Sequence, residues 1–276
     1  MSPLREVFLL ALRELRRNLR SVKGFILINL SLLVGVAVAF LMVKVGEQTF
    51  NGAPPPDVMR AVWYEKVLED KDVAVRWAAT PSMLFNLHIL FLPYLSIFLI
   101  AMMGFDSIAG DVQHRTVRFF LSRSRRTSYF VAKTFGTWLS VALITLLIGI
   151  LGWILLITMA GFGVTEVVTT GLFFWLVSLP ISLVWASLGA WLSSLFRTPS
   201  HALLTTLGVF FFLYLARLFS FLSETYKPLR WIYPNTYDTW ILGDGAEKPF
   251  AALGTLLVMT TFINALGAIQ FQRRDL

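Results

Sequence analysis

The chain has 276 residues, 57% of them hydrophobic and only 14% charged, where an ordinary soluble domain carries roughly 25% charge. That much apolar surface excludes a soluble globule and a disordered chain alike. Zero cysteines remove disulfides, thiolate metal sites and cysteine nucleophiles. The net charge of +8 sits in basic runs that abut apolar ones. It therefore reads as the loop bias of a polytopic membrane protein, with no nucleic acid as partner.

Residues 1–22 read as an amphipathic helix. Leu4, Phe8, Leu12, Leu15 and Leu19 recur at three- and four-residue steps, and Arg13, Arg16, Arg17 and Arg20 take the other face. This pattern suits a helix lying on the cytoplasmic leaflet, with a partner contact as the sharper alternative. The apolar run Val7–Leu12 is too short for a signal peptide and is ended by Arg13.

A helix crossing the bilayer needs about 20 mostly apolar residues. Six runs qualify, at about 24–43, 83–104, 129–160, 169–196, 202–222 and 250–271. They are continuous rather than alternating, which excludes a β-barrel. The expected fold is all-α, a single transmembrane domain over 1–276 with six transmembrane helices. Pro93 and Pro180 lie inside spans and are expected to kink them. Small residues recur every four positions in the fourth span, at Ser178, Ser182, Ala186, Ala190 and Ser194, making one face smooth enough for close helix packing.

An even number of spans puts both termini on one side. With that side inside, the inner segments hold fifteen Lys/Arg against five acids, and the outer segments hold eight against eleven. The inside excess follows the positive-inside rule, so both termini are expected in the cytoplasm. Segments 45–82 and 223–249 then lie outside. In the first, Val58, Val62 and Trp63 are placed to cover the outer ends of the spans. In the second, Trp231, Tyr233, Tyr237 and Trp240 read as an interfacial aromatic belt or as contacts for a substrate or external protein.

The spans contain no Asp or Glu, and His88, His114 and His201 do not cluster at metal-ligand spacing. No metalloprotease, nucleophile-elbow or Gly-rich phosphate motif is present. The chain reads as no enzyme by itself, with no cofactor or metal of its own. Any energy for work comes from a partner. Arg217 is the one charge deep in a span, about 22 Å from its cytoplasmic start at 1.5 Å per residue. It either snorkels or packs, or it binds an anionic group in a translocation path. Asn86 and His88 in the second span carry the same two readings.

The most informative stretch runs from Phe105 to Lys133, FDSIAGDVQHRTVRFFLSRSRRTSYFVAK. Asp106 is expected to cap a helix starting at Ser107, and Asp111 and Arg115, four apart, are expected to pair. Phe119, Phe120 and Leu121 give an apolar end, and the Arg123–Arg126 cluster follows. Such a segment, at 105–128 between two spans, is placed to transmit movement.

In this stretch the chain resembles the permease subunits of type-2 ABC transporters. The matching residues are Asp106, Asp111, Thr116, Phe120, Leu121, Ser122, Arg126, Tyr129 and Lys133, and the tail Arg273-Arg274-Asp275-Leu276 is similar to family tails. Asp111 stands where Glu is commoner, and Arg123-Ser124 where the family often has Pro. The resemblance covers the whole topology. It implies an exporter subunit in a bacterial inner membrane, paired with a second copy or a paralogous permease among membrane lipid. ATP and Mg would be held by a separate ATPase subunit. It also implies an ATPase-coupling set of Asp106, Asp111, Arg115, Thr116, Phe119, Phe120 and Arg126. A non-transporting scaffold or mechanical transmitter driven by such an ATPase is the alternative.

Overall fold

A computed structural model of the chain describes residues 2–49, 61, 64–65, 71–78, 80, 82–243 and 247–274. Val58, Val62 and Trp63 lie outside the described residues, as do Asp275 and Leu276 of the tail.

Helix α1 covers Pro3–Arg20 and α2 covers Val22–Thr49, separated by the extended residue Ser21. The short α3, Lys71–Ala78, belongs to the first long connection. The second span begins with α4, Ser82–Phe85, passes through a π-helical turn at Asn86–Phe91 and continues as α5, Leu92–Gly104. Two short helices follow, α6 at Ala109–Gln113 and α7 at Thr116–Leu121. Three long helices come next: α8 at Arg126–Ala160, α9 at Val164–Leu195 and α10 at Pro199–Phe219. Two 3₁₀ segments, Glu224–Ile232 and Pro234–Tyr237, and the single turn α11, Asp238–Ile241, lead to α12, Glu247–Gln272. Among the described residues there is no strand, and six helical stretches are long and apolar enough to cross a membrane.

The π turn precedes Pro93 in the second span. Leu92 N–H bonds five residues back to Leu87 O, which widens the helix just before a residue that cannot donate. Pro180 sits inside the continuous α9, where the Trp138 indole donates to the Leu179 carbonyl at 3.0 Å and to Ser182 Oγ at 3.1 Å. Gly161, at φ +71°, ends α8 in a left-handed cap that only glycine adopts without cost, and the chain re-enters the bundle three residues later.

α8 and α9 form the centre, with α2, α5 and α12 packed around them. Most of the small stripe of α9 faces inward: Ser182, Ala186, Ala190 and Ser194 are all buried, while Ser178 is partly so. Asn264 of α12 accepts from Thr134 at 3.0 Å and donates to Ser187 at 2.8 Å, tying α8, α9 and α12 together at a polar crossing. At the end of the bundle away from the termini, the Trp77 indole donates to the Leu242 carbonyl at 3.3 Å, so the two long connections meet there.

Candidate functional site

The face of the bundle that carries both termini holds the densest polar chemistry. α1 and α8 run side by side in the same direction. Glu6 Oε1 accepts from Arg125 N–H at 2.6 Å, Glu14 Oε2 meets Lys133 at 2.8 Å, and Asn18 Nδ2 donates to Ser140 Oγ at 3.1 Å. The close approach occurs at Gly136. A Cβ there would run into the Glu14 side chain and come within 2.9 Å of the Ala11 carbonyl oxygen. The face of α1 toward the bundle is therefore its narrow polar one, with Ala11, Glu14 and Asn18 buried. Leu4 and Phe8 point outward, 84% and 61% exposed.

Around Glu14 four charges close a ring of alternating sign. Arg17 pairs with Glu14 and, at 3.1 Å, with Asp111 Oδ1; Lys133 lies 2.6 Å from Asp111 Oδ2 and 2.8 Å from Glu14. Asp111 also accepts from the Tyr129 hydroxyl at 2.6 Å and from Thr116 Oγ1 at 3.2 Å. Each acid thus meets two cations, the condition under which buried charge is tolerated. Burial works against the Arg17 charge, yet Glu14 and then Asp111 hold its guanidinium above the ordinary arginine value. A cavity of about 130 Å³ opens beside the ring, between Arg13 of α1, Phe120 of α7 and Ala132 of α8. Arg13 lies over the Phe120 ring at 4.1 Å, and Phe120 stacks on Tyr129.

Several expectations for this segment need correction. Asp106 caps no helix. Residues 105–108 are turns, and its carboxylate reaches Lys23 Nζ at 2.6 Å instead. The cap comes from a distant helix, as Ser193 Oγ accepts from both Ile108 and Ala109 N–H at 3.1 Å and donates to Phe105 O at 2.8 Å. Asp111 does not pair with Arg115, because the helix breaks there. Arg115 stands at φ 59°, in the left-handed region, and separates α6 from α7. Phe119 and Phe120 meet edge to face at 5.9 Å but face different surroundings. Phe119 is 55% exposed with Arg123 over its ring at 4.8 Å, whereas Phe120 packs inward. Arg126 donates to the carbonyls of Gln272 and Arg274 at 2.6 and 3.0 Å, capping the end of α12.

The three residues considered for a path do not form one cluster. His88 is buried, with Nδ1 at 3.1 Å from Leu84 O and Nε2 facing the Trp153 indole at 3.3 Å. Asn86 Oδ1 is buried without a partner among the described residues. Arg217 is not deep: α10 ends at Phe219, so Arg217 lies in its last turn, over the Tyr233 ring at 5.2 Å.

Sequence reasoning passed over Glu14, Arg17 and Ser193 as site residues. Spacing contains one retrospective signal for the first. Glu14 lies three and four residues from Ala11 and Asn18, a small-and-polar stripe between the leucine and arginine faces.

These features define a polytopic α-helical integral membrane protein whose terminal face is organised around a charged crossing of its first helix. The family model of the ABC-2 family transporter proteins matches residues 9–276, and the chain belongs to that family. It is a membrane permease component of an ABC transporter system, not itself catalytic, whose family implies an ATPase partner. No curated protein matches the chain.

Proposed function

We propose that this permease is an exporter subunit that works as one of two copies, with a separate ATPase docking against the α6–α7 segment from the cytoplasm of a bacterial inner-membrane system. The observation that carries this reading is the construction of that segment. Its outer surface presents Phe119 among the exposed cations Arg115, Arg118 and Arg123. Its inner surface is tied through Asp111 to α1 and α8. Force applied to Phe119 would reach two long helices through ionic contacts rather than through a loose loop. Asp106 and Thr116 then brace the segment against Lys23 and Asp111, and Phe120 seats it on Tyr129. ATP and Mg would be bound by the partner. The excess of basic residues on the terminal face supports a cytoplasmic placement of both termini.

The test is copurification with the partner ATPase, together with ATP hydrolysis at matched expression. Phe119→Ala is expected to weaken association at least tenfold without lowering thermal stability. Phe120→Ala is expected to lower stability first. Full partner binding and turnover in Phe119→Ala would overturn the docking assignment. Liposomes containing the complex separate an exporter, which moves solute with ATP, from a transmitter, which does not. Cysteine at Ser124 is expected to label only from the cytoplasmic side of sealed vesicles, and cysteine at Asn51 only from the other.

A further inference from the structure

The second span changes helix type partway along. Over Asn86–Phe91 it is π-helical, and Leu92 N–H bonds five residues back to Leu87 O. Pro93 follows and has no N–H to give, so a carbonyl of the preceding turn loses its helical donor. Asn86 Oδ1, at the start of the turn, is buried without a partner among the described residues. A turn short of hydrogen bonds and holding an unsatisfied acceptor is the weak point of the span. The two halves it joins are held differently. At the far end of α5 the chain is pinned to α9, where Ser193 Oγ donates to Phe105 O at 2.8 Å and accepts from Ile108 and Ala109 N–H. The other half, residues 82–91, packs through rings: Phe85 stacks on Tyr64 at 3.9 Å and meets Phe174 edge-on at 6.0 Å.

Among the described residues, that half makes one side-chain hydrogen bond to another helix. The Trp153 indole of α8 lies 3.3 Å from His88 Nε2, and both residues are buried. An indole N–H can only donate, so Nε2 accepts and the imidazole hydrogen sits on Nδ1, 3.1 Å from Leu84 O. His88 thereby binds its own helix one turn back with one nitrogen and α8 with the other. Two glycines clear the room for this contact. A Cβ at Gly149 of α8 would stand 3.2 Å from His88 Nε2, and one at Gly171 of α9 would stand 2.3 Å from Trp153 Nε1. A single directional bond between two otherwise apolar surfaces is strong enough to set a position and weak enough to be released.

We propose that the π turn at Asn86–Phe91 is a hinge of the second span, and that the Trp153–His88 hydrogen bond is the catch holding the half away from the termini against α8. α5 leads straight into the α6–α7 segment. On the docking reading given above, movement of that segment reaches α5 first, and the hinge lets the far half lag or swing. The hinge and its catch lie within one copy of the chain and are measured on the permease alone. They therefore stand or fall apart from ATPase docking and from pairing of the permease.

The experiment follows backbone hydrogen exchange of the detergent-solubilised chain by mass spectrometry. Residues 86–92 are expected to exchange faster than residues 95–104 of the same span. His88→Phe and Trp153→Phe each remove the catch from one side while keeping a ring. Each is expected to quicken exchange in 86–92 about three- to tenfold, the effect of one buried hydrogen bond, and to leave 95–104 unchanged. The double variant is expected to go no further than the faster single, because the same bond is lost. Both variants read that bond, so either one decides if the other fails to insert. Pro93→Ala restores a backbone donor and is expected to act in the opposite direction, slowing 86–92. Exchange in 86–92 as slow as in 95–104 in the unmodified chain would overturn the proposal. So would unaltered exchange in the catch variants, or equal acceleration along the whole chain, which would make His88 and Trp153 packing residues only.

Discussion

Glu14 and Lys133 stand 119 positions apart in the chain and meet in a 2.8 Å ion pair whose side chains are only 4% and 8% exposed. Both are buried, so each depends on the other and on the two remaining members of the ring. This pair ties the first helix to α8 midway between the Glu6–Arg125 and Asn18–Ser140 contacts.

Removing one partner strands buried charge, which typically costs about 3–5 kcal/mol. Glu14→Gln is expected near the lower end, because Lys133 keeps Asp111. Lys133→Met is expected to cost a similar amount. The double variant is expected to be less damaging than the sum of the singles, with a coupling of about 1–3 kcal/mol. Thermal unfolding of the four proteins in one detergent reads the cycle. Strict additivity would mean that the pair is not energetically joined.

Gly136 is where α1 and α8 touch. Gly136→Ala puts a methyl group against the Glu14 side chain and the Ala11 carbonyl, and overpacking of this kind typically costs about 1–3 kcal/mol. Gly136→Leu is expected to lever α1 away altogether. Limited proteolysis between α1 and α2 checks this: cleavage near Ser21 is expected to rise from the unmodified chain through Ala to Leu.

Ser193 supplies the acceptor for two buried backbone donors in another part of the chain. Ser193→Ala leaves Ile108 and Ala109 N–H unsatisfied, at about 1–3 kcal/mol for a buried group. The effect is expected to be local. Hydrogen exchange is expected to quicken across 105–113 and to stay unchanged in the middle of α8. Uniform acceleration would mean that Ser193 supports the whole bundle instead.

Arg115 adopts a left-handed backbone that costs a non-glycine residue about 1–2 kcal/mol. Arg115→Gly removes this strain while loosening the unfolded chain, for a net gain of roughly 0.5–1 kcal/mol. Arg115→Val is expected to destabilise, since a β-branched side chain tolerates that conformation worst. Opposite shifts in melting temperature for the two variants are the result to look for.

The six spans were legible because a bilayer demands long apolar runs, and such runs need no tertiary knowledge to be seen. The details that went astray share one cause. The Asp106 cap and the Asp111–Arg115 pair were inferred from local helix geometry. In the folded chain both acids are claimed by cations from distant elements, Lys23 for the first and Arg17 with Lys133 for the second. The helix expected between Asp106 and Leu121 is interrupted at Arg115, and that interruption turns Asp111 and Thr116 toward one another. Family resemblance reached further than spacing. Asp111, Thr116, Phe120, Tyr129 and Lys133 all stood in the matching pattern, and all line one cavity. What the pattern lacked was α1, whose Glu14 and Arg17 complete the ring from a segment the pattern does not include.

The charged ring also sets an order for biosynthesis. Its first two members leave the ribosome with the opening helix, but Lys133 follows Glu14 by 119 residues, a delay of roughly 6–24 s at about 5–20 residues per second. Two spans are made in that interval, while an acid destined for burial has only its neighbour Arg17 as counter-charge. The opening helix must therefore wait at the water-exposed margin of the membrane and dock late, once the third span arrives with the cation it lacks. A segment made before all six spans is thus among the last to take its final place.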